Sequence, residues 1–303
     1  MKYQVVLFYK YTKIEDPESE MDYQINLLKK LNLSARMIVA EEGINGNFEG
    51  SPENTEKYIE IMSKREGFKD THWKRSEGNG NAFPGIRVKV RPEILSIDLG
   101  EEDFDPNEIS GDYISAEELH ELYEKGEEFY VVDMRNEFEH KVGFFDESIK
   151  MPFKALRELP EKMDMLNHLK NKKVITVCTG GVKCEKASGY LKKQGFTDVH
   201  QLHGGIHDYI EKFPNQHFKG KLYVYDGRVV MGFELDAPEH QVVSNCDKCG
   251  ETSDNYVDCT YLHCKGHRHF VCCDNCLEKD GTAFCSDNCK ELAYADKKIF
   301  VRQ

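Results

Sequence analysis

The chain has 303 residues, 39% hydrophobic and 31% charged, with a formal net charge of −13 and eleven cysteines. That length supports two or three packed domains and excludes a small scaffold dependent on disulfide staples. The negative balance argues against a nucleic-acid partner, but twelve acids and one lysine fall between Glu101 and Glu128. The other 275 residues carry only −2, which leaves room for a local basic face.

The apolar run Val5 to Tyr9 is shorter than a signal-peptide core, and no run reaches the length of a membrane span. The expectation is a cytosolic protein with no membrane partner. In that compartment clustered cysteines hold metal or do chemistry more often than they form disulfides.

Tyr3 to Tyr9 reads as an apolar strand, and Glu18 to Leu31 places Met21, Ile25, Leu28 and Leu31 on one helical face. Ala35 to Ala40 is a second strand, and Gly43-Ile44-Asn45-Gly46-Asn47 reads as a turn into a third strand ending near Phe48. A helix from Pro52 to about Arg65 and a strand from Ile86 to Val90 follow. The order β-α-β-β-α-β predicts a ferredoxin-like α+β domain over residues 1–98. In its last strand Arg87, Lys89 and Arg91 alternate with Ile86, Val88 and Val90, so three cations share one face. With Lys74 and Arg75, and with Lys64, Arg65, Lys69, His72 and Trp73 nearby, they make a candidate surface for phosphates and stacked bases. The plainer reading is a solvated strand face.

Residues 99–112 predict an acidic linker, and Ser115-Ala116-Glu117-Glu118 a capping box opening the next helix. Phe129 to Asp133 is a strand ending in an acid, followed by Arg135. Val174 to Val177 and Val199 to Leu202 are further strands, the latter running into Gly204-Gly205-Ile206 and a helix near Asp208 to Lys212. Alternating strands and helices predict a parallel α/β sheet over 113–218, with its site in the loops at the C-terminal ends of the strands.

Cys178 opens one such loop, which turns at Gly180 and Gly181 before a helix expected from Glu185 onward. A strand, tight loop and helix start surround the sulfur with backbone N–H groups and the positive end of a helix dipole, and Lys183 adds charge. All three favour thiolate. A buried structural cysteine is the plainer alternative. Cys184, six residues on, resolves a persulfide, forms a disulfide with Cys178, or simply packs. Asp133 and Arg135 read as supports of the loop. A cysteine phosphatase wants arginine at position 184, and Lys183 is one residue early and only a point charge, which ranks that chemistry low. The glycines around Asn45 read either as a hairpin or as a place where backbone approaches RNA closely.

A strand followed by Asp133-Met134-Arg135, Cys178 opening a loop, and Leu202-His203-Gly204-Gly205-Ile206 together resemble a rhodanese domain, whose loop cysteine carries a persulfide. The chain departs from that family at Gly143-Phe144-Phe145-Asp146-Glu147-Ser148, where rhodaneses usually read Gly-His-Ile-x-Gly-Ala. The strings Ala40-Glu41-Glu42-Gly43-Ile44-Asn45-Gly46 and Cys178-Thr179-Gly180-Gly181-Val182-Lys183-Cys184-Glu185-Lys186-Ala187-Ser188, with a Cys-rich tail, resemble the bacterial tRNA uridine-34 hydroxylases over nearly the whole chain. That resemblance implies oxygen-dependent conversion of the wobble uridine to 5-hydroxyuridine, with tRNA as partner through its anticodon region and molecular oxygen as co-substrate. No Gly-x-Gly-x-x-Gly and no two-His-one-carboxylate pattern is evident, so no organic cofactor is expected. A persulfide-carrying sulfurtransferase, with a sulfur donor as partner, is the alternative enzyme. A non-catalytic RNA-binding or regulatory protein is the alternative from another class.

Residues 219–303 hold nine of the eleven cysteines. Cys246 with Cys249 and Cys273 with Cys276 are tight pairs; Cys259 with Cys264 and Cys285 with Cys289 are looser ones. Eight thiolates saturate two tetrahedral zinc ions, and the interleaving suggests that each ion joins alternate pairs. Such closed sites are structural. Cys272 is left over, and His263, His267 and His269 are candidate replacements for a thiolate.

Overall fold

The computed structural model describes residues 2–265 and 268–299, so His267 lies outside the described residues. The first unit contains Tyr3–Tyr11 (β1), Pro17–Lys30 (α1), Ser34–Ala40 (β2), Gly43–Gly50 (β3), Pro52–Ser63 (α2), Lys74–Gly78 (β4) and Ile86–Val90 (β5). Asp16 and Ser51 cap the two helices by accepting from the N–H groups of Ser19 and Asn54. The sheet order is β4-β1-β3-β2-β5. It is β4 that completes the β-α-β-β-α-β unit, antiparallel to β1. Ile86–Val90, expected as that last strand, is instead a fifth strand added parallel to β2 on the far edge. Lys74-Arg75-Ser76-Glu77-Gly78 has no apolar alternation, so its strand was invisible to a hydrophobic pattern.

Gly43 to Asn47 is strand rather than turn; Glu41 and Glu42 alone make the hairpin. A Cβ at Gly43 would lie 2.0 Å from the Lys10 carbonyl oxygen and one at Gly46 would lie 2.6 Å from the Met37 side chain, so sheet packing by itself requires both glycines. Helices α1 and α2 cover one sheet face over Val6, Phe8, Met37, Phe48, Tyr58 and Met62. Trp73 packs into this core with its ring 4.6 Å from Phe8, which corrects its expected place on a base-stacking surface.

The other face of the sheet carries Val5, Leu7, Tyr9, Arg36, Ile38, Asn45 and Asn47, and it covers the second unit. That unit contains Asp112–Ile114 (β6), Ala116–Lys125 (α3), Tyr130–Asp133 (β7), Glu137–His140 (α4), Gly143–Phe145 (β8), Ile149–Lys150 (β9), Leu159–Lys162 (α5), Lys173–Val177 (β10), Val182–Lys193 (α6), Asp198–Leu202 (β11) and Gly205–Lys212 (α7). Its sheet, β6-β11-β10-β7-β9, is parallel throughout, as expected for a rhodanese-like domain. The tail contributes Phe218–Gly220 (β12), Leu222–Tyr223 (β13), Val230–Met231 (β14), Tyr256–Asp258 (β15), His269–Val271 (β16) and Asp287–Asp296 (α8). It is stitched to the second unit by β12 pairing with β8 and by Tyr256 donating to the Phe138 carbonyl at 2.9 Å. No described helix is long and apolar enough to cross a membrane.

The acidic stretch 99–112 is laid against the protein instead of hanging free. Phe104 packs on the core of the second unit, and Asp103 reaches Lys186 on α6 at 2.7 Å. Lys186 is 1% exposed and also meets Glu42 of the β2–β3 hairpin at 3.1 Å, so one ammonium ties three segments together. Truncation leaves two carboxylates facing each other without their cation. Lys186→Ala is expected to lower stability by about 1–3 kcal/mol in chemical denaturation; an unchanged midpoint would show that the tie is idle.

Candidate active site

Strand β10 is a β-branched run buried on both faces, and it delivers Cys178 at its C-terminal end with 1% of the residue exposed. Helix α6 begins at Val182, earlier than expected from Glu185, so Lys183 and Cys184 stand in its first turn and not in the loop. The loop is held from below by α7, whose Ile206 and His207 N–H groups donate to the carbonyls of Cys178 and Thr179 at 2.9 and 3.0 Å. Gly205 must be glycine here: its φ is +70° and a Cβ would lie 2.6 Å from the Cys178 carbonyl oxygen.

The sulfur accepts the Gly181 N–H at 3.2 Å. Burial pushes the thiol up, but the Cys184 S–H, the Lys183 charge and the N–H groups of Cys184 and Gly181 outweigh it and bring the Cys178 pKa down to about 7. Burial and the neighbouring Cys178 push Cys184 the other way. One thiol is therefore poised as thiolate and its neighbour is held as its hydrogen-bond donor.

Asp133 and Arg135 are both fully buried and bonded to each other, with Arg135 Nη2 donating to Asp133 Oδ2 at 2.6 Å and to the Gly143 carbonyl at 2.8 Å. Glu139 collects Lys183 at 2.8 Å, Tyr225 at 2.7 Å and Thr179 at 3.2 Å. Its carboxyl is pushed up by burial, but Lys183 and Arg135 hold it below the usual range. This network fixes the loop from the rhodanese-like side.

From above, the N-terminal sheet closes on the same loop. A Cβ at Gly180 would lie 2.6 Å from Leu7 Cδ2, and one at Gly181 2.9 Å from the Tyr9 hydroxyl, so the Gly-Gly turn is a seat for β1. Tyr9 and Tyr113 donate to Glu185 Oε1 at 2.7 and 2.6 Å. A cavity of about 370 Å³ lies between the three units, lined by Cys178, Thr179, Gly180 and Lys183 below, Leu7, Arg36, Asn45 and Asn47 above, and Tyr225, Arg228 and Met231 from the tail. Sequence reasoning missed Arg36, Asn45, Asn47, Tyr225 and Arg228. The only signal was the Glu-Gly-Ile-Asn-Gly string, where the glycines drew attention away from the asparagine between them.

The five expected RNA-binding cations do not form one surface. Arg87 and Arg91 are exposed and Lys89 half-buried on the outer edge strand, with Arg87 paired in register with Arg36. Arg75 faces the helices and pairs with Glu56 at 2.7 Å. Lys74 points inward, 3% exposed, with no hydrogen bond to its Nζ among the described residues; burial lowers its pKa to about 8. Alternation along β4 puts these two neighbours on opposite faces.

In the tail, Cys246, Cys249, Cys273 and Cys276 form one cluster and Cys259, Cys264, Cys285 and Cys289 another. Both clusters can bind a metal ion. Sulfur separations of 3.5 Å between Cys249 and Cys273 in the first cluster and 3.5–3.8 Å among Cys264, Cys285 and Cys289 in the second match the edge of a tetrahedron with metal–sulfur bonds of about 2.3 Å and far exceed a disulfide bond of about 2.05 Å. Cys272 is fully buried outside both clusters, and His269 is taken by Asp258 at 2.6 Å.

A lowered thiol pKa adds stability above the ordinary thiol pKa, and this is lost as pH falls through the folded value. Wild type is therefore expected to lose more stability than Cys178→Ala between pH 9 and 7, and iodoacetamide labelling of Cys178 is expected to reach half its limiting rate near pH 7. A labelling midpoint at the ordinary thiol value, read by peptide mass spectrometry, would remove the thiolate.

Residues 3–94 match the UPF0176 acylphosphatase like domain, 115–212 the rhodanese-like domain and 219–290 the rhodanase C-terminal family. A tRNA uridine(34) hydroxylase of Cytophaga hutchinsonii is 38% identical over 288 residues, covering 95% of this chain and 90% of that one. The tRNA uridine(34) hydroxylase of Enterococcus faecalis is 40% identical, covering 87% and 83%. A crystal structure of a rhodanese-related protein from Thermoplasma volcanium is 31% identical over 33% of this chain and 92% of that chain, with a TM-score of 0.29. The chain belongs to the tRNA uridine(34) hydroxylase family.

Proposed function

We propose that this protein hydroxylates uridine 34 of tRNA at C5, using molecular oxygen, with Cys178 as the catalytic residue. The observation that carries the reading is a thiolate-prone cysteine opening into a base-sized cavity that also takes walls from the N-terminal sheet and the tail. A free sulfur donor needs no such roof. A nucleotide turned out of the anticodon loop does, because an enzyme acting on a base must bring the ring out of its stack into a pocket.

In this mechanism the Cys178 thiolate adds to C6 of uracil, and the electron pair of the C5–C6 double bond moves toward the C4 carbonyl, making C5 nucleophilic. One oxygen atom of molecular oxygen is joined to C5 and the other leaves as water, with two electrons and two protons from an external reductant. Loss of the C5 proton and of the Cys178 sulfur from C6 restores the ring. Asp133, Arg135, Thr179, Gly180, Gly181 and Lys183 position the loop, while Cys184 donates its S–H to the catalytic sulfur between turnovers. Arg87, Lys89 and Arg91 carry backbone phosphates along the outer edge strand, and Lys74 contributes charge from the interior. Mass spectrometry of tRNA nucleosides from a deletion strain is expected to show loss of 5-hydroxyuridine-type modification, restored by wild type and not by Cys178→Ser. Restoration by Cys178→Ser would dismiss the cysteine, and an unaffected deletion strain would dismiss the activity.

The two four-thiol clusters are proposed to hold one structural zinc ion each, which fits their tetrahedral spacing and closed ligand sets. The first cluster includes Cys273, two residues beyond the β16 end that pairs with Tyr256, so metal loss is expected to loosen the tail wall of the cavity. Metal analysis is expected to find about two zinc ions per chain; fewer than one, with no free thiols before reduction, would indicate disulfides instead.

A further inference from the structure

We propose that Asn45 and Arg36 read the uracil edge of the bound nucleotide, which makes the N-terminal sheet the specificity element of the site. The inference rests on the hydroxylase reading above and says how that site tells uracil from cytosine.

Asn45 lies on the cavity face of β3, opposite Ile38 of β2. Its Nδ2 donates to the Ile94 carbonyl at 3.2 Å. A carbonyl oxygen can only accept, so this bond sets which end of the amide faces which way. The anchor is itself fixed: Ile94 is fully buried and its N–H donates to Glu42 Oε1 at 2.8 Å. Asn45 Oδ1 is left as an oriented acceptor at the cavity, with no donor bonded to it among the described residues. Asn47, its neighbour on the same face, has neither amide end fixed in this way among the described residues, so its orientation is not set.

Arg36 stands opposite Asn47 on the same face, diagonal to Asn45 and within reach of a long side chain. One of its N–H groups donates to the Tyr225 carbonyl at 3.3 Å, which leans the guanidinium toward the tail wall and leaves its other donors for the cavity. A fixed acceptor beside a donor is the complement of uracil N3–H beside O4. Cytosine reverses both groups: its bare N3 faces Asn45 Oδ1, and its N4 amine faces the guanidinium. Leu7, Ile38, Leu95 and Met231 line the same cavity, so a mismatched edge there sets acceptor against acceptor and donor against donor in partly apolar surroundings. The donor on O4 also sits where negative charge develops when a thiolate adds to C6, so Arg36 favours the reaction as well as the base.

The test is equilibrium binding, by fluorescence anisotropy, of anticodon stem-loop RNAs carrying U34, C34 or N3-methyl-U34 to wild type, Asn45→Ala and Arg36→Ala. Wild type is expected to prefer U34 over either alternative by about 5- to 150-fold. Asn45→Ala is expected to bring the ratio of U34 to N3-methyl-U34 close to one, and Arg36→Ala to bring the U34 to C34 ratio down. Each ratio is internal to one protein, so a general loss of affinity or of folded fraction cancels. Wild-type ratios retained in Asn45→Ala, or N3-methyl-U34 bound by wild type as tightly as U34, would overturn the proposal. A wild-type protein that neither binds nor hydroxylates the U34 stem-loop overturns the functional reading itself, and the base readers with it.

Discussion

The first two turns of α6 hold the molecule together around its chemistry. Within four consecutive residues, Lys183 ties to Glu139, Cys184 donates to the Cys178 sulfur, Glu185 receives Tyr9, and Lys186 joins Glu42 and Asp103. Successive residues on a helix point in different directions, so one short segment reaches the loop, the rhodanese-like core, the N-terminal strand and the acidic strap together. The thiol's environment and the docking of the roof over it depend on the same segment. Displacing the N-terminal sheet would pull on Glu185 and Lys186, beside the cysteine that partners Cys178.

That arrangement explains why a sulfurtransferase-type loop sits under a sheet. The loop supplies N–H groups and a helix terminus, which are enough to hold a thiolate. They say nothing about what the thiolate meets. The roof adds an apolar wall with Asn45 and Arg36, and the tail adds Tyr225 and Arg228. The cavity is thus assembled from all three units, and no one of them contains it.

The cysteine-rich tail takes its place in the same scheme. Its thiol clusters lie beyond the β13–β14 hairpin whose neighbouring residues line the cavity, and β12 and Tyr256 fasten the whole segment to the second unit. A segment with so little regular structure has a small core of its own, built around Tyr261, Phe270 and Phe284, and metal ligation is the natural supplement to such a core.

The amino-acid sequence by itself determined the parallel sheet, the Cys178 loop and the pairing of thiols, because these depend on local signals: β-branched runs, a Gly-Gly turn and cysteine spacing read within a few residues. It also placed Arg87, Lys89 and Arg91 on one face, which needs only the alternation of a strand. Tertiary structure decided what spacing does not encode. It buried Lys74, turned Arg75 toward Glu56, took Trp73 into the core and made Ile86–Val90 an added edge strand. Above all it set Asn45 and Arg36 over a cysteine more than a hundred residues away in sequence. No periodicity links those positions, since they meet only through the docking of two domains across Glu185 and Lys186.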